Sequence, residues 1–286
     1  MKTARRIFLA GLAAALSACS LARVAYDNAD APLAFMAKEY FDLDGAQSAA
    51  LKARLARLHA WHRENELPVY AALLREASRR AQKGITAEDV AWSLANLRAR
   101  YRRLAAQAAE DLAPVLATLG TAQIAALEHK FAESNEKYAR EYLPDDPKKR
   151  RRAQVERAVE RFEDFTGDLR PDQQARIERF VAAHEAHVLL RFEDRRHWQR
   201  DALELLREHR AAPDLGDRLA ELFIRPESRR SAEFVREDRR WEDDLAQLIA
   251  DLDRTLTPRQ RARVVRRLDG YAEDCAALAG QKKESA

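Results

Sequence analysis

The chain has 286 residues, with 51 Lys and Arg against 47 Asp and Glu, a formal net charge of +4, 8 glycines, 9 prolines and 2 cysteines. So few interruptions in a sequence rich in Ala, Leu, Arg and Glu predict an all-α fold, an elongated multi-helix bundle with long, locally kinked helices. The near balance of charge gives no general attraction to nucleic acid, and two cysteines cannot build a disulfide framework.

The first segment, residues 1–18, has a positive n-region in Lys2, Arg5 and Arg6 and a short apolar stretch from Ile7 to Leu16. That stretch suits a signal peptide better than a membrane-spanning helix. Leu16, Ser17, Ala18 and Cys19 close it, and the combination resembles a bacterial lipoprotein signal. The resemblance implies cleavage before Cys19, lipidation of its thiol and new amino terminus, and a chain tethered to a membrane. Ser20 follows the cysteine, which by the same rule points to the periplasmic face of the outer membrane. With Cys19 acylated, Cys275 is the only thiol and no intramolecular disulfide forms. The expected partners are the membrane, through lipidated Cys19, and an envelope protein; no nucleic acid, metal or other cofactor is expected.

Residues 19–43 read as a lipid-anchored tether with a short apolar segment, 44–145 as an N-terminal helical half, 146–280 as a C-terminal half and 281–286 as a polar tail. Long helices are predicted near 44–83, 87–118, 121–142, 147–167, 172–211, 226–254 and 258–279, with a short one over 214–224. Pro68 and Pro114 should kink or divide the first two. An unbroken helix over 172–211 would approach ~60 Å. Asp145-Asp146-Pro147 is the expected hinge between halves. Apolar stripes run through Val90, Leu94, Leu97, Tyr101, Leu104 and Ala108, through Phe234, Trp241, Leu245, Leu248 and Leu252, and through Val264, Leu268, Tyr271, Cys275 and Leu278. The last makes Cys275 a small core residue.

A short pattern recurs at Leu43-Asp44-Gly45-Ala46-Gln47, Leu119-Gly120-Thr121-Ala122-Gln123, Leu169-Arg170-Pro171-Asp172-Gln173 and Leu256-Thr257-Pro258-Arg259-Gln260. Each copy stands where a helix should begin. Asp44 or Thr257 can cap amides while Gln47 or Gln260 reaches back, and Pro171 and Pro258 suit the first helical position. The last copy also resembles the Leu-Thr-x-x-Gln motif of bacterial periplasmic stress chaperones. A longer resemblance rests on Tyr26-Asp27-Asn28-Ala29-Asp30, Tyr40-Phe41-Asp42-Leu43-Asp44, Trp61-His62-Arg63, Leu67-Pro68-Val69-Tyr70, Leu256 to Gln260 and Gly270-Tyr271-Ala272-Glu273. It is similar to an uncharacterised bacterial lipoprotein family with a domain of unknown function, with Asp27 where asparagine is more usual. That likeness implies a helical envelope lipoprotein and supplies no catalytic residues.

Candidate chemistry is sparse. His59 and His62, and His184 and His187, can share helical faces, but two histidines with Glu64, Glu66 or Glu185 nearby fall short of a metal-ligand motif. No phosphate loop, nucleophile elbow or dinucleotide fingerprint occurs. Among the acidic residues, including Glu64, Glu66, Glu141 and Glu163, nothing selects a pair for glycan hydrolysis. Lys148, Lys149, Arg150, Arg151 and Arg152 form a candidate anionic-surface contact, with Asp145, Asp146, Glu156 and Glu160 close enough to compensate them. Trp61, Tyr70, Trp92, Tyr101, Trp198 and Trp241 are expected along helix seams or a groove. The sequence therefore reads as a non-enzymatic envelope protein acting by binding or assembly, with chaperone-like binding and cell-wall hydrolysis as the alternatives. Replacing Cys19 with Ala is expected to abolish fatty-acid labelling and release the protein from the membrane fraction. An acylated, membrane-bound variant would overturn the anchor.

Overall fold

The computed structural model describes residues 23–280, and no strand occurs among them. The signal segment, Cys19 and the polar tail lie outside this range. A helical stretch at residues 23–27 is followed by α1 (Asp30–Phe41), α2 (Gly45–Asn65), α3 (Leu67–Lys83), α4 (Ala87–Leu116), α5 (Thr121–Tyr142) and α6 (Pro147–Thr166). Then come α7 (Pro171–Ala183), α8 (Glu185–His209), α9 (Leu215–Ile224), a 3-10 turn (Glu227–Arg229), α10 (Ala232–Asp253) and α11 (Pro258–Gly280).

Local chemistry starts these helices. The side chains of Asp44, Thr86, Asp146 and Ser231 accept from the amides of Gln47, Asp89, Lys148 and Phe234, satisfying donors that have no partner within the helix. Glu66 divides the segment expected at 44–83, two residues before Pro68. Pro114 does not divide α4, which ends two residues beyond it. The rod expected over 172–211 is two helices instead. His184 leaves helical torsions at φ −121°, ψ 29°, and its ring is held by Glu237 and Asp244 of α10 at 3.1 and 3.0 Å. The helix expected from 226 starts at Ala232, after the 3-10 turn.

The four repeated glutamines do more than cap. Each accepts a hydrogen bond from the backbone amide three residues earlier, at Asp44, Gly120, Arg170 and Thr257. They also meet in two pairs. Gln47 and Gln123 exchange amide hydrogen bonds at 3.2 and 2.6 Å, and Gln173 and Gln260 do so at 3.3 and 3.0 Å. The remaining donors cross between turns. Gln47 reaches Thr118 O while Gln123 reaches Asp42 O, and Gln173 reaches Thr255 O while Gln260 reaches Asp168 O. Thr118 and Thr255 each return their hydroxyl to the carbonyl three residues back. The α1–α2 turn is thus locked to the α4–α5 turn, and the α6–α7 turn is locked to the α10–α11 turn by the same set of bonds.

A core lies under each joint. Leu43, Leu51, Leu119, Ile124 and Leu127 pack beneath the first, and Leu169, Ile177, Val181, Leu248 and Leu252 beneath the second. Between them α9 seals against α4 and α8 through Leu215, Leu219, Leu222 and Ala109. The N-terminal and C-terminal halves interleave, because α3 lies along α11. Ala71, Ala81 and Ala272, each at most 2% exposed, let the two backbones approach closely. The predicted stripe on α4 is buried only in part. Val90 is core, but Leu97 and Tyr101 are 61% and 49% exposed, and Ala105, Ala109 and Val115 form the buried face farther along. Tyr271 is likewise exposed at 37%, while Cys275 is half-buried, its thiol pushed up by burial and by the charge of Asp274.

The N-terminal segment is fastened to this body. Arg23 pairs with Asp274 at 2.6 Å, Tyr26 OH with His62 Nδ1 at 2.8 Å, and Asp27 with buried Arg63 at 2.5 Å. Arg63 also donates to Leu278 O at 3.0 Å.

Gln173 is wholly buried, so its loss leaves polar partners in a dry setting at ~1–3 kcal/mol each. Gln173→Leu is expected to cost about 3 kcal/mol in urea unfolding. The double variant with Gln260→Leu should cost clearly less than the two single changes together, because the second removes a group the first has already orphaned. Strict additivity would mean that the pair does not act as a unit.

Candidate functional site

Two adjoining clefts lie where the interleaved helices leave gaps. The first encloses about 570 Å³ between α3, α4, α6, α7, α10 and α11, within the ~300–1,000 Å³ usual for ligand sites. Its walls are chiefly apolar, with Val90 and Phe162, Phe165, Phe180, Leu245 and Ile249 prominent. Its polar side chains are largely satisfied already. Asp89 takes Arg80 at 2.6 Å, Asp253 takes Arg261 at 2.8 Å, and the hydroxyls of Ser93 and Thr166 return to their own helices.

The second cleft encloses about 930 Å³ between α4, α8, the turn after α9, and α10. Seven arginines line it against four carboxylates. Each carboxylate is already taken: Glu242 by Arg98, Glu227 by Arg239, Asp194 by Arg225 at 3.1 Å, and Asp238 by Arg230 at 3.6 Å and His187 at 3.0 Å. Arg225, at φ 46°, holds a left-handed torsion that is unfavourable for a side chain of its kind. Its guanidinium is buried between Asp194 and Asp201, which keeps the turn in place. Tyr101 OH and Trp198 Nε1 hang the same turn by the carbonyls of Phe223 and Leu222. Three arginines remain without an ion-paired carboxylate, although the charge of Arg191 still acts on Asp238. Arg102 and Arg191 are exposed and have no hydrogen-bond or ion-pair partner among the described residues, and Arg195 donates only to neutral Asn135 and Ser134. Trp241 lines both clefts, and its ring stacks on His187 at 4.9 Å and meets Phe180 at 6.0 Å.

The histidine pairs predicted from spacing do not converge on metal sites. The ring of His59 lies tilted against that of Tyr26, with centroids 4.5 Å apart. The pKa of His62 is lowered by burial and then by His59, so its ring is neutral at pH 7. His184 and His187 turn to different carboxylates of α10, and Glu185 pairs with Arg151. No group of three or more His, Cys, Asp or Glu able to hold a metal occurs among the described residues.

Of the carboxylates considered for hydrolysis, none lines either cleft. Glu66 is fully buried opposite Arg103 and Arg100 at 3.3 and 3.8 Å, Glu163 accepts from Leu169 N, and Glu64 and Glu141 are exposed. The basic run opens α6, away from both clefts. Arg150 binds Pro144 O, Arg151 binds Glu185 and Arg152 binds Glu156, while Lys148 and Lys149 are exposed.

Sequence reasoning placed Trp241, Tyr101 and Trp198 along helix seams or a groove, with core packing the default, and the structure puts all three in the lining of the arginine cleft. That reasoning missed Arg102, Arg191 and Arg195, whose only signal was a basic residue repeated four positions along each of α4 and α8. Trp92 instead carries Arg80 on its face at 4.2 Å, and Trp61 faces Arg103 at 5.7 Å.

A family model described as a family of unknown function, DUF6279, matches residues 39–236, and the chain belongs to that family. No curated protein and no solved structure matches it.

Burial alone would raise the pKa of Asp238, but the hydrogen bond from His187 and the charges of His187, Arg230 and Arg191 outweigh it and hold the carboxyl below its ordinary value. A depressed folded-state pKa stabilises the fold above the unfolded value of ~3.9 and ceases to do so as pH falls through the folded value. Asp238→Asn should therefore cost about 1 kcal/mol at neutral pH. Urea unfolding across the acid range should show the gap to the parent closing below pH ~4; a gap that persists in strong acid would contradict this.

Proposed function

We propose that this member of the family is a membrane-anchored helical protein of the bacterial envelope that acts by binding and takes its ligand in the joined clefts. The observation that carries the reading is a large apolar cleft and an arginine-rich one that share Trp241 in their walls. A concave site with apolar walls and a few convergent polar groups is the usual form of a ligand site. The carboxylates that line the clefts are engaged with arginines or His187, and the hydroxyls of Ser93, Thr166 and Tyr101 with backbone carbonyls. The anchor is supported by the Leu16 to Cys19 motif and by the segment that follows. Val24, Leu33, Phe35 and Met36 are 55%, 48%, 69% and 53% exposed, apolar side chains suited to contact with a lipid surface. No helix among the described residues is long and apolar enough to cross a membrane.

The repeated Leu-x-x-x-Gln pattern has a full structural account in the paired joints, which leaves the apolar cleft as the feature that a chaperone-like role would use. Photo-crosslinking in the native envelope, with probes at Phe165 and Tyr101 in the clefts and at Arg140 as an exposed control, separates the readings. Adducts of a defined species at the two cleft positions are the expected result. A broad, stress-enhanced set of unfolded envelope proteins would favour the chaperone reading, and labelling no greater than at Arg140 would overturn a site in the clefts.

A further inference from the structure

We propose that the joined clefts bind a single-chain anionic amphiphile, with the hydrocarbon tail in the apolar cleft and the head group among Arg102, Arg191 and Arg195; this rests on the binding role proposed above and names its ligand. The apolar cleft argues for hydrocarbon over peptide. Apart from Ile85 and Leu256 in turns, its lining residues stand on helices, whose backbone donors and acceptors are already paired. A peptide lying there would bury amides with nothing to bond, whereas an acyl chain carries no such groups. Among the side-chain polar groups Asp89, Asp253, Ser93 and Thr166 are engaged, which leaves exposed Arg161 at the cleft wall as the one unpaired charge among the described residues there.

Charge selects the head. The four carboxylates of the arginine cleft are ion-paired to other arginines or to His187, so the arginines without an ion-paired carboxylate are Arg102 from α4 and Arg191 and Arg195, one helical turn apart on α8. Guanidinium groups suit phosphate and carboxylate alike because their donors form a planar fork. Trp241, shared by both clefts, stands where tail gives way to head, a position that suits an amphipathic indole.

The test uses the chain carrying Cys19→Ala, purified without detergent, in calorimetric titrations with dodecyl phosphate, laurate, dodecanol and inorganic phosphate. Dodecyl phosphate or laurate should bind at one site at least ten times more tightly than dodecanol or phosphate alone, and whichever is tighter identifies a phosphate or a carboxylate head. Arg102→Gln with Arg191→Gln, two exposed positions without partners, should lower affinity for the anionic ligands at least tenfold and leave dodecanol unchanged. Ser93→Trp, which projects bulk into the apolar cleft from an exposed position, should weaken dodecanol and the anionic amphiphiles together. Equal affinity for dodecanol and the anionic amphiphiles, or an arginine variant with unchanged affinity, overturns the proposal. If no amphiphile binds while cleft probes still capture a protein in the envelope, the ligand class fails and the binding role survives. If neither occurs, both fail.

Discussion

The paired glutamine joint is the constraint from which the rest of the structure follows. A helix start needs acceptors for its free amides, and a turn buried against another turn needs donors for its carbonyls. One glutamine side chain supplies both, and two glutamines facing each other complete the set. Because the side chains are buried or half-buried, the arrangement tolerates little displacement: a shift of either turn would strand several polar groups at once. Two such joints fix where α2 leaves α1, where α5 leaves α4, where α7 leaves α6 and where α11 leaves α10. The three clusters of core leucines then fill the space these directions define.

How far the fold could be read in advance depended on the range of the interactions. Helix starts are local, so the cap at Asp44, the prolines at α7 and α11, the recurrence of the pattern and the reach of Gln47 and Gln260 were legible, while the same reach by Gln123 and Gln173 was not read. Pairing was not. Gln47 and Gln123 are 76 positions apart, and Gln173 and Gln260 are 87 apart; spacing along a helix carries no information over such distances. The break at His184 was missed for the same reason, since the carboxylates that hold its ring come from α10. Leu97 and Tyr101 continue an apolar periodicity but stay exposed, Tyr101 on the wall of the arginine cleft and Leu97 in neither cleft.

The candidate site was less legible than the fold. Its aromatic members stood out as scarce residues, but its arginines did not, in a chain with 51 basic side chains. What distinguishes Arg102, Arg191 and Arg195 is the subtraction performed by the structure, which assigns every nearby carboxylate to some other arginine or to His187. The five-residue basic run shows the converse. Conspicuous in sequence, it loses three of its members to Pro144, Glu185 and Glu156. Lys148 and Lys149 sit at a helix start, where positive charge opposes the helix dipole. Local charge density is therefore a poor guide to a chain of this composition, and net charge after pairing is a better one.

The clamp at the N-terminal end sets a length scale. Arg23, Tyr26 and Asp27 are bonded to Asp274, His62 and Arg63, so the anchor proposed at Cys19 would stand four residues before this clamp, at most ~14 Å along the chain. A body held in that way would explore a shallow shell above a bilayer. It would spin and rock without sweeping the depth of the compartment. Encounters would then be ruled by what diffuses along or emerges from that membrane, at a local concentration far above its bulk value, and weak intrinsic affinity would suffice for high occupancy.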